Sequence, residues 1–158
     1  MLDDDVRIRH ASQDEAEDLS DMAWSSRESW NYSASEMDGF RDFLAISEDF
    51  IEKNPTYIAE SDETGEKLGF CSMAKESDGR WWLRYLYVTP DNIGSGIGGA
   101  LFLHACEVAE NAGADGLYIV SNIGSEEFYL HMGAERVGTK PLSIGSLNGE
   151  AVVLKIKL

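Results

Sequence analysis

The sequence predicts an α/β (α+β) domain built on a mixed sheet of about seven strands with about four helices. Three observations predict it. Apolar residues recur at three- and four-residue spacing up to Pro55, and three β-type runs with short, turn-rich links follow. The remainder reads helix, strand, helix and two strands. Short links make neighbouring strands antiparallel, so the N-terminal half of the sheet is antiparallel. A strand reached through a helix instead returns parallel to the one before it. At 158 residues and 43% hydrophobic content, the chain suits one domain over 1–158 with a sizeable core.

Residues 6–9 alternate apolar and basic side chains, as a first strand does. Ser12 and Glu15 then have the spacing of a capping box, and Ala16, Leu19, Met22, Ala23, Ser26 and Trp30 give the helix that follows one buried stripe. A second box, Ser33 and Glu36, precedes Met37, Phe40, Phe43, Leu44 and Ser47, again on one helical face. Between the two lies an aromatic turn of Trp30, Asn31, Tyr32 and Ser33. It either lines a pocket, with Trp30 and Tyr32 as candidate substrate-binding residues, or plugs the helix junction. Strands are expected over 56–60, 67–75 and 80–88. The third carries Trp81, Trp82, Tyr85 and Tyr87, too aromatic for a solvated edge, and belongs in the middle of the sheet. A helix over 100–111 stops before Gly113, and 117–121 is a nearly continuous apolar strand of the buried type. Residues 125–132 form a short helix with Glu126 and Glu127 in its first turn and Gly133 after its end. Strands over 134–138 and 152–158 close the chain, the last with Leu154, Ile156 and Leu158 on one face.

The formal charge of −16, from 29 acidic against 13 basic side chains, argues against nucleic acid or an anionic membrane as partner. It suits a cationic partner, simple solubility or a high-salt habitat. The same field repels an anionic cofactor, so a phosphate site here must rely on oriented backbone amides. Cys71 and Cys106 lack the spacing of a metal knuckle and are expected to be buried free thiols; no metal is expected. The acidic N-terminus leads into no apolar segment of signal length, and no later run approaches a membrane span, so a cytoplasmic location is expected.

Between the strand over 80–88 and the helix that follows, residues 94–99 read Gly-Ser-Gly-Ile-Gly-Gly. Glycines let a ligand approach the backbone, and the N–H groups at a helix start attract anions, so the loop is either a phosphate cradle or a flexible turn. It also satisfies the three-glycine dinucleotide pattern, but the context counts against that reading. Residues 90–93 separate the glycines from the strand, three antiparallel strands come first, and the next strand ends in Val120, Ser121 and Asn122 rather than an acid. A Gly-Lys-Ser/Thr ending is missing, which excludes a P-loop.

Residues 86–90 (Leu-Tyr-Val-Thr-Pro) followed by 93–98 (Ile-Gly-Ser-Gly-Ile-Gly), then 122–129 (Asn-Ile-Gly-Ser-Glu-Glu-Phe-Tyr) with Met132, Gly133 and Ala134, occur in an element order that resembles the GNAT superfamily of acetyl-CoA-dependent N-acetyltransferases. The resemblance covers nearly the whole chain. It implies a GNAT-like acyl-CoA N-acyltransferase fold in which the strand ending at Val88 and the strand ending at Ser121 splay apart and admit pantetheine. It further implies acetyl-CoA as cofactor, main-chain groups of Leu86 and Val88 toward the acetyl group, and a coenzyme-binding loop of Ile93, Gly94, Ser95, Gly96, Ile97, Gly98 and Gly99. Asn122 would bond the pantetheine or only cap its turn. Tyr129 would bind beside the coenzyme sulfur and protonate the leaving thiolate, or only pack its helix on the sheet. The acceptor would be a primary amine of a small molecule or a protein, with a homodimer open as the assembly.

Two departures from the family pattern keep a non-catalytic acetyl-CoA sensor in view. Ile93 stands where the family usually has arginine or glutamine, and residues 80–88 hold no acid that could serve as general base. Glu28, Glu36 and Asp38 read as solvated helix residues able to act only through water, and His10, His104 and His131 lack a partner pattern.

Overall fold

In the computed structural model, which describes residues 5–30, 32–121, 125–144 and 147–158, one seven-stranded sheet has the order β1-β2-β3-β4-β5-β7-β6. The chain runs β1 (Val6–His10), a 3₁₀ turn (Gln13–Glu15), α1 (Ala16–Glu28), α2 (Ala34–Gly39), α3 (Arg41–Leu44), α4 (Glu48–Lys53), β2 (Thr56–Ser61), β3 (Lys67–Lys75) and β4 (Trp81–Val88). It continues through a second 3₁₀ turn (Pro90–Asn92), α5 (Ile97–Asn111), β5 (Gly116–Val120), α6 (Glu126–His131), β6 (Glu135–Ile144) and β7 (Leu147–Lys157). The strands β1 to β4 pair antiparallel, and β5 returns parallel to β4 through α5, as the link lengths predict.

The helical region departs from expectation. In place of one helix after Ser33 there are three short ones, so six α-helices stand where about four were expected. The first break is at Phe40, which ends α2 and heads α3, and the second is at Ala45, whose extended backbone (φ −84°, ψ 99°) turns the buried Ile46 into the core. Ser20 Oγ accepts the N–H of Ile46 at 2.8 Å, and Ser47 then caps α4 by accepting the N–H of Phe50 at 3.0 Å. The first capping box heads a 3₁₀ turn, with the Ser12 N–H donating to Glu15 Oε1 at 2.9 Å. The last two strands extend beyond the expected spans into a hairpin registered from Glu135↔Lys155 to Ile144↔Leu147.

Each face of the sheet buries its own cluster. Helices α1 to α4 cover Ile58, Phe70, Tyr85 and Tyr87; α5 covers Ala59, Cys71, Met73 and Leu83 with Leu101, Phe102 and Ala105. Leu83 and Tyr85, two residues apart, nevertheless face opposite sides. The β3–β4 register slips between Ser72 and Met73, where Tyr85 opposes Ser72 and Leu83 opposes Met73, so Arg84 is an extra residue and a bulge inverts the alternation. The parallel β4–β5 pairing covers only Trp81↔Leu117, Trp82↔Tyr118 and Leu83↔Ile119. From the bulge onward, β4 is bonded on its β3 side alone, which opens the sheet beside Tyr85, Leu86, Tyr87 and Val88.

Near the sheet edge, Arg7 Nη2 and Arg9 Nε lie 2.7 and 2.9 Å from the Glu60 carboxylate, and Arg9 Nη2 lies 2.7 Å from Glu15. Hydrogen bonding to Arg9 pulls the Glu15 carboxyl from 4.5 down to about 2, and bonds to Arg7 and Arg9 pull Glu60 down as well. A depressed carboxylate stabilises the fold above its unfolded pKa, and that stability is lost as pH falls through the folded value. Urea midpoints are therefore expected to fall between pH 4.5 and about 2, with a shallower fall in Glu15→Gln. A slope unchanged by the substitution would remove Glu15 from this account. Among the described residues no helix is long and apolar enough to cross a membrane.

Candidate functional site

Strand alternation determines which amides of β4 face the opening. The Thr89 N–H donates to Leu68 O at 2.9 Å, so the Tyr87 amide also faces β3 while those of Leu86 and Val88 face the side from which β5 has parted. Past Val88 the chain makes a tight turn, in which Asn92 Nδ2 donates to Thr89 Oγ1 at 2.8 Å. It then passes through Gly94 (φ 88°) and Gly96 (φ 91°), both in the left-handed region that favours glycine. Gly96 is the N-cap of α5, whose first intrahelical bond runs from the Ala100 N–H to Gly96 O at 3.1 Å. The amides of Ile97, Gly98 and Gly99 precede that bond and have no acceptor within the helix, which leaves an anion-attracting helix start.

A groove of about 990 Å³ runs over this loop, lined by Leu86, Val88, Ile93, Gly94, Gly96, Gly98 and Gly99 and, across the opening, by Phe128, Tyr129 and Met132. Two expected loop residues stand apart from it. The Ser95 N–H turns inward to Asn92 O at 3.2 Å, and the Ile97 side chain, 3% exposed, anchors α5 in the core. Ile93 is exposed and brings no charge to the groove. Asn122 lies outside the described residues.

A second groove of about 830 Å³ opens on the other side of the splay, bordered by the rings of Tyr32, Phe40, Phe43, Trp82 and Tyr85 and by the carboxylates of Glu76, Asp78, Glu126 and Glu150. Arg27, Tyr32, Leu86, Tyr87 and Tyr129 line both grooves and mark where they meet. Trp30 lines only the groove over the glycine loop; Tyr32 borders both.

Tyr129 is 7% exposed, with its ring centroid 5.6 Å from that of Phe102 and 5.1 Å from that of Phe128. Burial, reinforced by Tyr87 and Cys71 and opposed by Arg27, pushes its phenol well above the ordinary value, so it holds its proton at neutral pH. Arg27 Nη2 donates to the Tyr87 hydroxyl at 3.0 Å and lies over the Phe40 ring, 4.2 Å from its centroid. Sequence reasoning missed Arg27. Its signal was a charged residue four positions after Ala23 on the apolar stripe of α1. It also missed the carboxylates of the second groove, which come from three separated segments.

Other candidates fall elsewhere. Glu28, Glu36 and Asp38 line neither groove. His131 lines the first, while His104 packs edge-on against Tyr57 at 4.3 Å and desolvation lowers its pKa. Cys71 and Cys106 are free and buried, their thiols pushed up to about 12 and about 11 chiefly by burial, and neither is poised as a nucleophile. No group of His, Cys, Asp and Glu suited to a metal ion occurs among the described residues.

The fold is shared with solved acetyltransferases. A GCN5-related N-acetyltransferase from Rhodopseudomonas palustris matches at TM-score 0.81 and 20% identity over 100% of this chain and 99% of the other. The PaiA N-acetyltransferase of Thermoplasma acidophilum, solved with coenzyme A, matches at 0.72 and 19%, covering 97% and 99%. A GNAT-family acetyltransferase from Staphylococcus aureus matches at 0.73 and 15%, covering 96% and 98%. A sequence comparison with curated proteins returns no match. The model of the acetyltransferase (GNAT) family matches residues 16–134, from the start of α1 to the residue before β6. The chain therefore belongs to the GNAT acetyltransferase family.

Proposed function

We propose that this chain transfers the acetyl group of acetyl-CoA to a primary amine by direct attack in a ternary complex. The observation that carries the reading is the meeting of two grooves at Leu86 and Tyr129 beside the opened edge of β4. A transferase needs two substrates in line; a sensor of acetyl-CoA needs only the first groove. In this reading the diphosphate lies on the amides of Ile97, Gly98 and Gly99, and the pantetheine enters the splay, where the Leu86 and Val88 amides are turned. One of these amides donates to the thioester oxygen as it becomes an oxyanion. The amine nitrogen forms its bond to the acetyl carbon as the C–S bond breaks. Tyr129 supplies the proton taken up by the thiolate and regains one from solvent, to which the amine gives up its own. The free, buried Cys71 and Cys106 suit a reducing compartment such as the cytoplasm.

The test has two arms. Acetyl-CoA at about 100 times its Kd is expected to stabilise the fold by about 2.7 kcal/mol in thermal unfolding, with NAD(P) giving no shift. Thiol release from acetyl-CoA is then followed with a panel of amines, polyamines and lysine peptides. Saturable coenzyme binding without turnover of any acceptor would replace the transferase by the sensor.

A further inference from the structure

Arg27 is the charged residue common to the linings of both grooves among the described residues, and it is 4% exposed in a chain of net charge −16. It sits in the last turn of α1 with Phe40, Phe43, Tyr32 and Tyr87 rings between 4.2 and 5.9 Å from its guanidinium carbon. Ring faces stabilise a cation, and the bond from Nη2 to the Tyr87 hydroxyl orients the fork. A guanidinium carries five N–H donors in a plane, so it can engage a carboxylate while keeping that bond. Its place in the fold limits which carboxylate. Arg27 borders the same junction as Leu86 and Tyr129, so an anion that it binds lies close to the reacting nitrogen.

An amine and a carboxylate on one carbon meet that requirement. The zwitterion is also neutral overall, and so escapes the repulsion that a net charge of −16 imposes on an anion. Its ammonium is drawn in by the exposed carboxylate of Glu150 at the second groove, where Glu76 and Asp78 already pair with Arg84 and Arg80, while Phe43, Trp82 and Tyr85 offer ring surface to a side chain.

We propose that the acceptor is a free α-amino acid with an aromatic or large apolar side chain, its carboxylate bound by Arg27. This rests on the acyl-transfer reading above. The products are the N-acetyl amino acid, coenzyme A thiol and one proton, with no redox change.

The experiment measures thiol release by the intact protein with L-phenylalanine, L-tryptophan and L-leucine. Each is paired with its decarboxylated amine and its carboxamide, and rates are corrected to the neutral-amine fraction. At least one amino acid is expected to exceed both of its partners in kcat/KM by roughly 10- to 100-fold, the range of a charge-assisted hydrogen bond. In Arg27→Met that ratio is expected to collapse toward 1, with Arg27→Lys between. The wild-type comparison decides the matter if the variants do not fold. Turnover of the amines or carboxamides at equal or higher efficiency overturns the assignment and leaves acyl transfer standing. Coenzyme binding without release from any of these probes overturns the assignment, and silence across the amine, polyamine and lysine-peptide panel as well overturns both.

Discussion

Gly96→Val is expected to abolish the thermal stabilisation given by acetyl-CoA while the protein still folds. Gly96 holds φ 91° and ψ −4° as the N-cap of α5, a conformation that a β-branched residue adopts only at a cost of about 1–3 kcal/mol. Space is not the obstacle at neighbouring Gly94, where a Cβ would meet nothing within 4 Å; backbone strain is. Relief of the strain at position 96 rotates the peptides on either side and turns the amides of Ile97, Gly98 and Gly99 off their common aim. Side-chain charge cannot compensate, because the head of the loop is Ile93. Gly65→Val is the control: its φ of 74° imposes the same kind of strain on the turn between β2 and β3, outside both grooves. Both variants lose some stability, but only Gly96→Val loses the response to coenzyme. An undiminished shift in that variant would show that the loop does not hold acetyl-CoA.

Tyr129→Phe is expected to lower kcat by roughly 10²-fold while leaving coenzyme binding nearly intact, the signature of an interaction made in the transition state. The substitution keeps the ring that packs on Phe102 and Phe128 and removes only the hydroxyl. Burial holds the phenol protonated, so Tyr129 contributes no titration near neutral pH and the rate of the wild type should rise with deprotonation of the acceptor amine. A rate unchanged in the variant would assign Tyr129 to packing alone.

Local pattern carried much of the fold. Residues 67–75 and 80–88 read as strands, and they are strands, because β-rich composition and turn residues at their ends are properties of a few consecutive positions. The helix expected over 100–111, which begins at Ile97, and the glycine turn before it were legible for the same reason. The helix expected after Ser33 was not one helix, since its break at Ala45 is held by the Ser20 hydroxyl, 26 residues away. An apolar stripe cannot register such a partner.

The sequence by itself determined the order of the strands, the glycine turn before α5 and the buried state of the two thiols, each through spacing or composition within one segment. Only the tertiary structure decided the bulge at Arg84, the point along β4 at which it parts from β5 and the convergence of Arg27, Tyr87 and Tyr129 on one junction. Those features depend on strand register and on contacts such as Arg27 to Tyr87, 60 residues apart. Register is a property of two strands together, so a site that lies in the gap between them has no pattern in either one.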